Sequence, residues 1–252
     1  MRTELNVADG FAGALSASRL DRFERVMALE APSSAVTRRV PGRFTTRVEL
    51  SPAASGAPAL VVYLKRYRGR LRAGAARHEW RRLYQLRAAG IPCPEPVAFG
   101  ESRGLFGRRQ SFLMTAEIPG ATQADWWIEE RPGRRRELVA AVADLAHRFH
   151  RAGFHHRDFY LCHFFVREAA KTEAAGAGLD LFLIDLQRCG RLEGRRWLVK
   201  DLAQLHFSMG LAGFSAEDWR EFLDRYGGVD PALAQAILAK SLRIARHVPR
   251  YG

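Results

Sequence analysis

The chain has 252 residues, enough for one large domain or two modest lobes. Hydrophobic residues make up 47% of it, which argues against global disorder because such a chain can bury a substantial core. The formal net charge is +13, and lysine occurs only at positions 65, 171, 200 and 240. This charge fits an anionic partner (nucleic acid, acidic lipid, a phosphorylated substrate or an acidic protein) and equally fits a codon-composition bias.

The cysteines and the apolar pattern bear on where the protein works. Cys93, Cys162 and Cys189 form no CxxC pair, which argues against a disulfide framework or structural zinc and favours a reducing compartment. The N-terminus shows no apolar signal segment, and no stretch approaches the roughly 18 apolar residues of a spanning helix. We therefore expect a cytoplasmic protein, at most peripheral on the inner face of the cytoplasmic membrane.

The first part of the sequence predicts strands and one prominent helix. Apolar spacing over 11–30 predicts one or two short helical turns. Runs rich in β-formers predict strands over 35–40, 44–50, 59–67, 96–99 and 111–115, with a turn at 103–107. Between them, 75–89 predicts a helix that ends at Gly90.

The second part is mostly helical by pattern. Helices are predicted over 134–151, 200–209, 216–226 and 231–247, with two short strands at 164–166 and 181–184. A loop over 168–178 joins those strands. The whole layout predicts an α+β protein with a sheet-rich lobe over 1–117, begun by a helical extension, and a helix-rich lobe over 118–252.

The densest chemical signal is the segment HRDFYLCH, which begins at His156. Protein-kinase catalytic loops read HRD, four residues, then Asn, and a second Asp follows at the end of a nearby strand. Here Asp158 is the HRD carboxylate, His163 stands at the Asn position, and Asp185 follows 27 residues after Asp158. One carboxylate can take the proton of an acceptor hydroxyl while the other binds Mg²⁺, so this order predicts phosphoryl transfer from ATP.

An upstream pair fits the same chemistry. Lys65 lies in a predicted strand and Glu79 lies 14 residues later on the first helix, the order in which kinases orient the nucleotide phosphates. The alternative is a snorkelling lysine and a solvated helix charge. No GxGxxG precedes Lys65, and Gly42 is the one glycine of the first hairpin turn, so a different phosphate-covering loop is expected.

Longer segments extend the pattern and carry a resemblance. They are EW at 79–80, LRAAGIPCPEPVAFGE at 86–101, SFLMTAEIPG at 111–120, AGFHHRDFYLCHFF at 152–165, LIDLQR at 183–188 and RRWLVKDLAQLHFS at 195–208. With these segments the sequence resembles the lipopolysaccharide core heptose kinases, the branch that phosphorylates the first heptose of the inner core. Gln187 and Phe159 depart from that family's pattern, which leaves acceptor choice open.

The resemblance implies a protein-kinase-like two-lobed fold, ATP with Mg²⁺, and a sugar hydroxyl on a lipid-linked core oligosaccharide as acceptor. It also implies a role for each matching residue: Asp158 as the catalytic carboxylate, Lys65 and Glu79 as the nucleotide-binding pair, Asp185 and His163 on the metal side, and His156, Arg157 and Asp201 as support for the catalytic loop. For Asp201 the alternative is an ordinary charge near a helix N-terminus.

Rival functions use the same residues differently. A metal hydrolase would use His155, His156, Cys162 and His163 as zinc ligands, although adjacent loop residues rarely converge on one ion. A nucleic-acid module would use the short arginine clusters, but these lack interleaved aromatics, so we do not expect nucleic acid as a partner. A pseudokinase would keep the fold and only bind, and a kinase for another small molecule or a protein stays open because fold alone does not set the acceptor.

Overall fold

The computed structural model describes residues 2–30, 32–54, 56, 58–69, 74–103, 109–169 and 178–247. The chain forms two compact units, Met1–Leu86 with Pro94–Ile118, and Arg87–Cys93 with Pro119–Gly252. Elements of the first unit are β1 (Arg2–Val7), α1 (Ala12–Ala17), α2 (Phe23–Ala28), β2 (Val36–Val40), β3 (Arg43–Leu50), β4 (Leu60–Arg68), α3 (Gly74–Ala88), β5 (Pro96–Arg103) and β6 (Arg109–Ala116). Elements of the second are β7 (Thr122–Gln123), α4 (Ala124–Glu130), α5 (Arg135–Arg151), β8 (Phe154–His155), β9 (Phe164–Glu168), β10 (Leu179–Leu183), β11 (Gly190–Arg191), α6 (Arg195–Leu211), α7 (Ala216–Tyr226) and α8 (Pro231–His247).

The first unit is built on a six-stranded sheet in the order β1-β5-β6-β4-β3-β2, and each neighbouring pair is antiparallel. Successive side chains of a strand point to opposite faces, and β4 shows this alternation clearly. Val62 and Leu64 belong to a core that α1 and α2 complete. Lys65 and Tyr67 instead contact Glu79 of α3. The alternation in β4 therefore delivers Lys65 to the helix that carries its partner.

The N-terminal segment packs as an integral part of this unit. Leu15 of α1 and Phe23 and Val26 of α2 are buried in the same core as Phe112 of β6. The two short helices agree with the spacing-based prediction over 11–30. Strand β1 was not predicted, and it pairs with the edge of β5 from Arg2↔Arg103 to Val7↔Ala98.

The second unit is mainly helical. Helices α5 and α7 pack together, as do α6 and α8. Two small sheets, of order β10-β9-β7 and β11-β8, hold the segments between the helices. Within the described part of the chain, no helix combines the length and apolar character needed to cross a bilayer.

Some predicted boundaries were wrong. Helix α6 begins at Arg195 rather than 200, strand β5 continues to Arg103 rather than ending at 99, and helix α4 was not predicted. Most of the predicted turn at 103–107, whose first residue ends β5, and most of the predicted 168–178 loop lie outside the described residues.

Candidate active site

In the first unit, Lys65 and Glu79 form a close ion pair. Lys65 Nζ donates to Glu79 Oε1 at 2.7 Å, and the Tyr67 hydroxyl contacts Glu79 Oε2 at 3.4 Å. The Glu79 side chain is 2% exposed and that of Lys65 is 14% exposed. A carboxylate this buried needs its partner, because removing one member leaves an uncompensated charge. The pair therefore fixes the Lys65 ammonium at one place on the sheet.

In the second unit, the HRD carboxylate of Asp158 meets a cation that sequence reasoning did not anticipate. Arg188 Nη1 donates to Asp158 Oδ1 at 2.7 Å. Arg188 ends the short 3-10 helix Leu186–Arg188, which follows Asp185 directly. The one sequence signal for this residue was its place three positions after Asp185.

His163 and Asp185 also come together in this unit. The Nδ1 atom of His163 lies 2.6 Å from the carbonyl oxygen of Asp158. Because a carbonyl only accepts, Nδ1 must carry the proton and donate. In the neutral ring this leaves the Nε2 lone pair available, and Nε2 lies 4.0 Å from Asp185 Oδ2.

This geometry suits a divalent cation held between one carboxylate and one imidazole. Two ligand atoms 4.0 Å apart can both reach an ion about 2.1 Å from each. Among the described residues, no group of three or more His, Cys, Asp or Glu side chains could hold a metal. Mg²⁺ in nucleotide sites needs no such cage, since it takes one or two carboxylates and completes its shell with phosphates and water. Asp185 and His163 thus fit the group that the kinase pattern implies.

The backbone of the site is held in an uncommon conformation. Arg157 has φ of 71° and Asp185 has φ of 57° and ψ of 54°, both in the left-handed region that non-glycine residues seldom adopt. Such residues cost of order 1–3 kcal/mol each and persist only where neighbouring contacts hold them. Their positions, beside Asp158 and at the metal-side carboxylate, are where a site would store that strain.

One face of α6 holds the loop that carries Asp158 by accepting hydrogen bonds from its backbone amides. Asp201 accepts from the amides of His156 and Arg157 at 2.6 and 2.8 Å. Gln204 Oε1 accepts from the amide of Phe159 at 3.1 Å, and Ser208 Oγ accepts from that of Leu161 at 2.8 Å. The three acceptors stand at i, i+3 and i+7, so they share one helix face. The roles of Gln204 and Ser208 were not predicted from the sequence, although their spacing from Asp201 could have indicated them.

Asp201 is fully buried, in the second turn of α6, and is not an exposed charge at the helix start. Burial opposes its ionisation, but the hydrogen bond and charge of His150 and the amide of His156 outweigh burial, so the pKa of Asp201 lies below its usual value. Burial, followed by the charge of His163, lowers the pKa of His156. His156 Nε2 donates to the Ile184 carbonyl at 2.9 Å, and a neutral ring satisfies that bond. Asp201 is thus anionic and His156 neutral at pH 7.

Positive charge accumulates around Asp158. Burial lowers the pKa of the half-buried Lys200, and the charges of Arg188 and Arg157 lower it further, while Asp158 and Asp201 act in the opposite sense. The Arg157 guanidinium lies 4.7 Å from the centroid of the Trp197 ring. Three cations, Arg157, Arg188 and Lys200, therefore lie close to Asp158.

The histidines that a zinc hydrolase would use are engaged elsewhere. The ring of His155 stacks on Trp197 with centroids 4.6 Å apart and an interplanar angle of 3°. His156 points its Nε2 atom at Ile184 rather than at a shared ion. These rings therefore do not converge with Cys162 and His163 on one point.

Comparison with known proteins decides the family. The sequence model of the lipopolysaccharide kinase (Kdo/WaaP) family matches residues 59–226. The lipopolysaccharide core heptose(I) kinase WaaP of Pseudomonas aeruginosa is 33% identical over 82% of this chain and 80% of its own length. The chain belongs to the lipopolysaccharide kinase (Kdo/WaaP) family.

Other members of the Kdo/WaaP family are similar to this chain at different levels of sequence identity. The heptose(I) kinase WaaP of Escherichia coli is 31% identical over 82% of this chain and 81% of its own. The 3-deoxy-D-manno-octulosonic acid kinase of Actinobacillus succinogenes is 24% identical over 59% of this chain and 61% of its own. A solved structure of WaaP in complex with acyl carrier protein superposes with a TM-score of 0.71, at 31% identity, over 98% of both chains.

Membership of the Kdo/WaaP family confirms three predictions. The mixed α+β fold with an antiparallel sheet agrees with the WaaP structure and with a kinase-like family. The chain is a kinase, because its family and its relatives are kinases. Membership of a kinase family implies ATP as the phosphoryl donor. The resemblance to the heptose kinases, inferred from motifs such as AGFHHRDFYLCHFF, is confirmed by the relatives themselves.

Proposed function

We propose that this chain transfers the γ-phosphoryl group of ATP to a hydroxyl of a heptose in the lipopolysaccharide core. The observation that supports the proposal is that His163 lies 2.6 Å from the backbone carbonyl oxygen of Asp158 and 4.0 Å from Asp185 Oδ2, which brings together the residues that the kinase pattern uses. The 33% identity to a heptose(I) kinase over most of both chains supports heptose as the acceptor sugar.

The reaction assigns a task to each group. The acceptor hydroxyl oxygen forms a bond to the γ-phosphorus, the bond from that phosphorus to the β–γ bridging oxygen breaks, and ADP leaves with the electron pair. Asp158 orients the hydroxyl and takes its proton. Asp185, with Nε2 of His163, would hold Mg²⁺, which neutralises phosphate charge when bound.

The first unit supplies the donor-side cation. Lys65, fixed by Glu79 at 2.7 Å, contacts the α- and β-phosphates in this proposal, as the strand lysine of kinases does. The ion pair sets the position of the ammonium, so Glu79 acts as a positioning residue.

A surface of the second unit supports a lipid-linked acceptor at a membrane. Helices α6 and α8 run side by side in the same direction, because Arg195 pairs with Asp230 near their starts and His206 contacts Ser241 further along. Leu211 and Leu242, 72% and 63% exposed, therefore lie toward the same end of the helix pair.

Helix α8 adds charge to this apolar surface. Its sequence, PALAQAILAKSLRIARH, contains no acidic residue and three basic side chains other than histidine. Exposed leucines beside basic residues suit an anionic lipid surface. We propose peripheral binding to the inner face of the cytoplasmic membrane through this end of α6 and α8.

Vesicle binding tests the membrane proposal. Wild type is expected to co-sediment with anionic-lipid vesicles at low salt and to lose binding after Leu242→Asp. The control Trp126→Asp changes another exposed apolar residue, which is 57% exposed on α4. Equal binding by both variants would contradict the proposal. An acidic protein is the alternative partner, since the solved WaaP structure contains acyl carrier protein, and vesicle-independent co-elution with that protein would favour it.

An acceptor panel tests the sugar. The protein is incubated with ATP and either core lipopolysaccharide that carries unphosphorylated heptose or a truncated form that ends at 3-deoxy-D-manno-octulosonic acid. Phosphate on the heptose form alone supports the proposal. Phosphate on the truncated form would favour the second candidate function, that of a 3-deoxy-D-manno-octulosonic acid kinase. This candidate is included because such a kinase is 24% identical to the chain. ATP binding without phosphate on any acceptor would indicate a pseudokinase.

A further inference from the structure

The contact between Arg188 and Asp158 is poorly explained as a stabilising ion pair. The two side chains are 46% and 24% exposed, and pairs this open to solvent contribute roughly 0–1 kcal/mol. Yet Arg188 Nη1 lies 2.7 Å from the carboxylate oxygen that the proposed reaction uses. Any group that hydrogen-bonds to Asp158 therefore also lies close to this guanidinium.

The surrounding charge points the same way. Lys200 and Arg157 add positive charge near the pair. The nearby Asp201 carboxylate accepts hydrogen bonds from the amides of His156 and Arg157. Arg157, Arg188 and Lys200 thus place three cations near Asp158, and cations close together favour the arrival of a strongly negative group. In phosphoryl transfer that group is the phosphoryl itself, on whose equatorial oxygens charge spreads in the transition state.

We propose that Arg188 is a further catalytic residue, which donates hydrogen bonds to the transferred phosphoryl group while Asp158 holds the acceptor hydroxyl. This inference rests on the phosphoryl-transfer function proposed above. A guanidinium has five donors in a planar fork, so it can keep one bond to Asp158 and direct others at a phosphoryl oxygen. The hydroxyl proton still goes to Asp158 and the bridging electron pair still leaves with ADP, while Arg188 exchanges no proton.

Variants of Arg188 test the role. Arg188→Ala is expected to lower kcat about 100- to 1,000-fold, the usual effect of removing one donor from a developing charge. The Kd for ATP is expected to stay within about twofold, because the bond forms only as the phosphoryl group transfers. Arg188→Lys keeps the charge but loses the fork, so its kcat is expected to fall between those of wild type and Arg188→Ala.

The matched control is Arg225→Ala. Arg225 is 51% exposed and pairs with one carboxylate, Asp144, at 2.6 Å in the same unit. This variant is expected to keep the kcat of wild type. A kcat for Arg188→Ala within twofold of wild type overturns the proposal. So does a rise in the acceptor KM with kcat unchanged, which would place an anionic group of the acceptor on Arg188.

A second arm needs no acceptor, so it separates this inference from the identity of the sugar. Binding of MgADP is measured with and without aluminium fluoride, which mimics the phosphoryl group in transfer. Wild type is expected to bind MgADP more tightly with aluminium fluoride, and Arg188→Ala is expected to lose that gain. An equal ratio of the two affinities in wild type and Arg188→Ala overturns the proposal whatever the acceptor is.

Discussion

Asp201 holds Arg157 in a conformation that arginine seldom adopts. Asp201 Oδ1 accepts the Arg157 amide at 2.8 Å, while Arg157 has φ of 71°. The next residue is Asp158, so this bond fixes the direction in which the chain enters the carboxylate that we propose to be catalytic. A buried residue on α6 thereby sets the geometry of a loop 44 residues earlier.

Replacement of Asp201 by asparagine is expected to disturb both stability and activity. The new NH₂ group would face one of the two backbone amides, and a buried donor left without an acceptor costs about 1–3 kcal/mol. The free energy of unfolding by urea and the kcat with the preferred acceptor measure the two effects.

The control for that change is Asp230→Asn. Asp230 accepts from the amide of Leu233 at the start of α8, and its side chain is 58% exposed. Asparagine is as good an N-cap as aspartate, so this variant should unfold as wild type does. If Asp201→Asn were equally harmless, the proposed support of the catalytic loop would be wrong.

Loss of Lys65 is expected to weaken productive nucleotide positioning. Lys65→Ala should lower kcat/KM for ATP by at least tenfold, and a double-mutant cycle with Glu79→Ala should show strong coupling because the two groups are in contact. Arg47→Ala provides the control: Arg47 lies on the neighbouring strand β3 and forms a surface ion pair with Glu117. Additive effects of the Lys65 and Glu79 changes would contradict the pairing.

A glycine in the first unit is expected to be intolerant of a side chain. A Cβ at Gly100 would contact the ring of Phe112 and lie 2.8 Å from Cδ2 of Phe23. Gly100→Ala should therefore destabilise the protein by about 1–3 kcal/mol. Gly74→Ala, at the open start of α3, should be neutral or stabilising. Thermal unfolding compares the two, and an unchanged midpoint for Gly100→Ala would argue against α2 packing on this sheet.

Stability is expected to fall as the pH drops below about 6.5, the ordinary histidine pKa. Burial lowers the pKa of both His156 and His206 in the folded protein. The unfolded chain then binds more protons between the lowered pKa values and about 6.5, so the free energy of unfolding decreases as pH falls through that window. The depressed pKa of Asp201 acts in a lower range: its contribution is present above about 3.9 and is lost below that value.

Urea unfolding at pH 7.5 and 5.5 measures this dependence. Each histidine contributes a slope of up to about 1.4 kcal/mol per pH unit. His206→Asn should make the dependence shallower, since it removes one of the two groups. Stability that is constant or rises toward pH 5.5 would contradict the lowered pKa values of these two rings.

The sequence predicted the fold class and the proximity of the candidate site residues, but not every element or contact around them. Their spacing placed Asp158, His163 and Asp185 together, as the structure does, because a loop before one strand and a loop after its hairpin partner must meet, and their catalytic roles stay predictions. Arg188 could not be assigned, since its contact depends on the 3-10 turn that follows Asp185. Strand β1 was missed because its pairing with β5 is a long-range contact that short-range pattern does not report.

Mass spectrometry of the acceptor tests the central claim most directly. Core lipopolysaccharide with unphosphorylated heptose is incubated with MgATP and either wild type or Asp158→Asn. The account predicts one added phosphate with wild type and none with Asp158→Asn, although that variant folds and binds ATP. Equal phosphate addition by both proteins would remove Asp158 from the catalytic role and contradict the account.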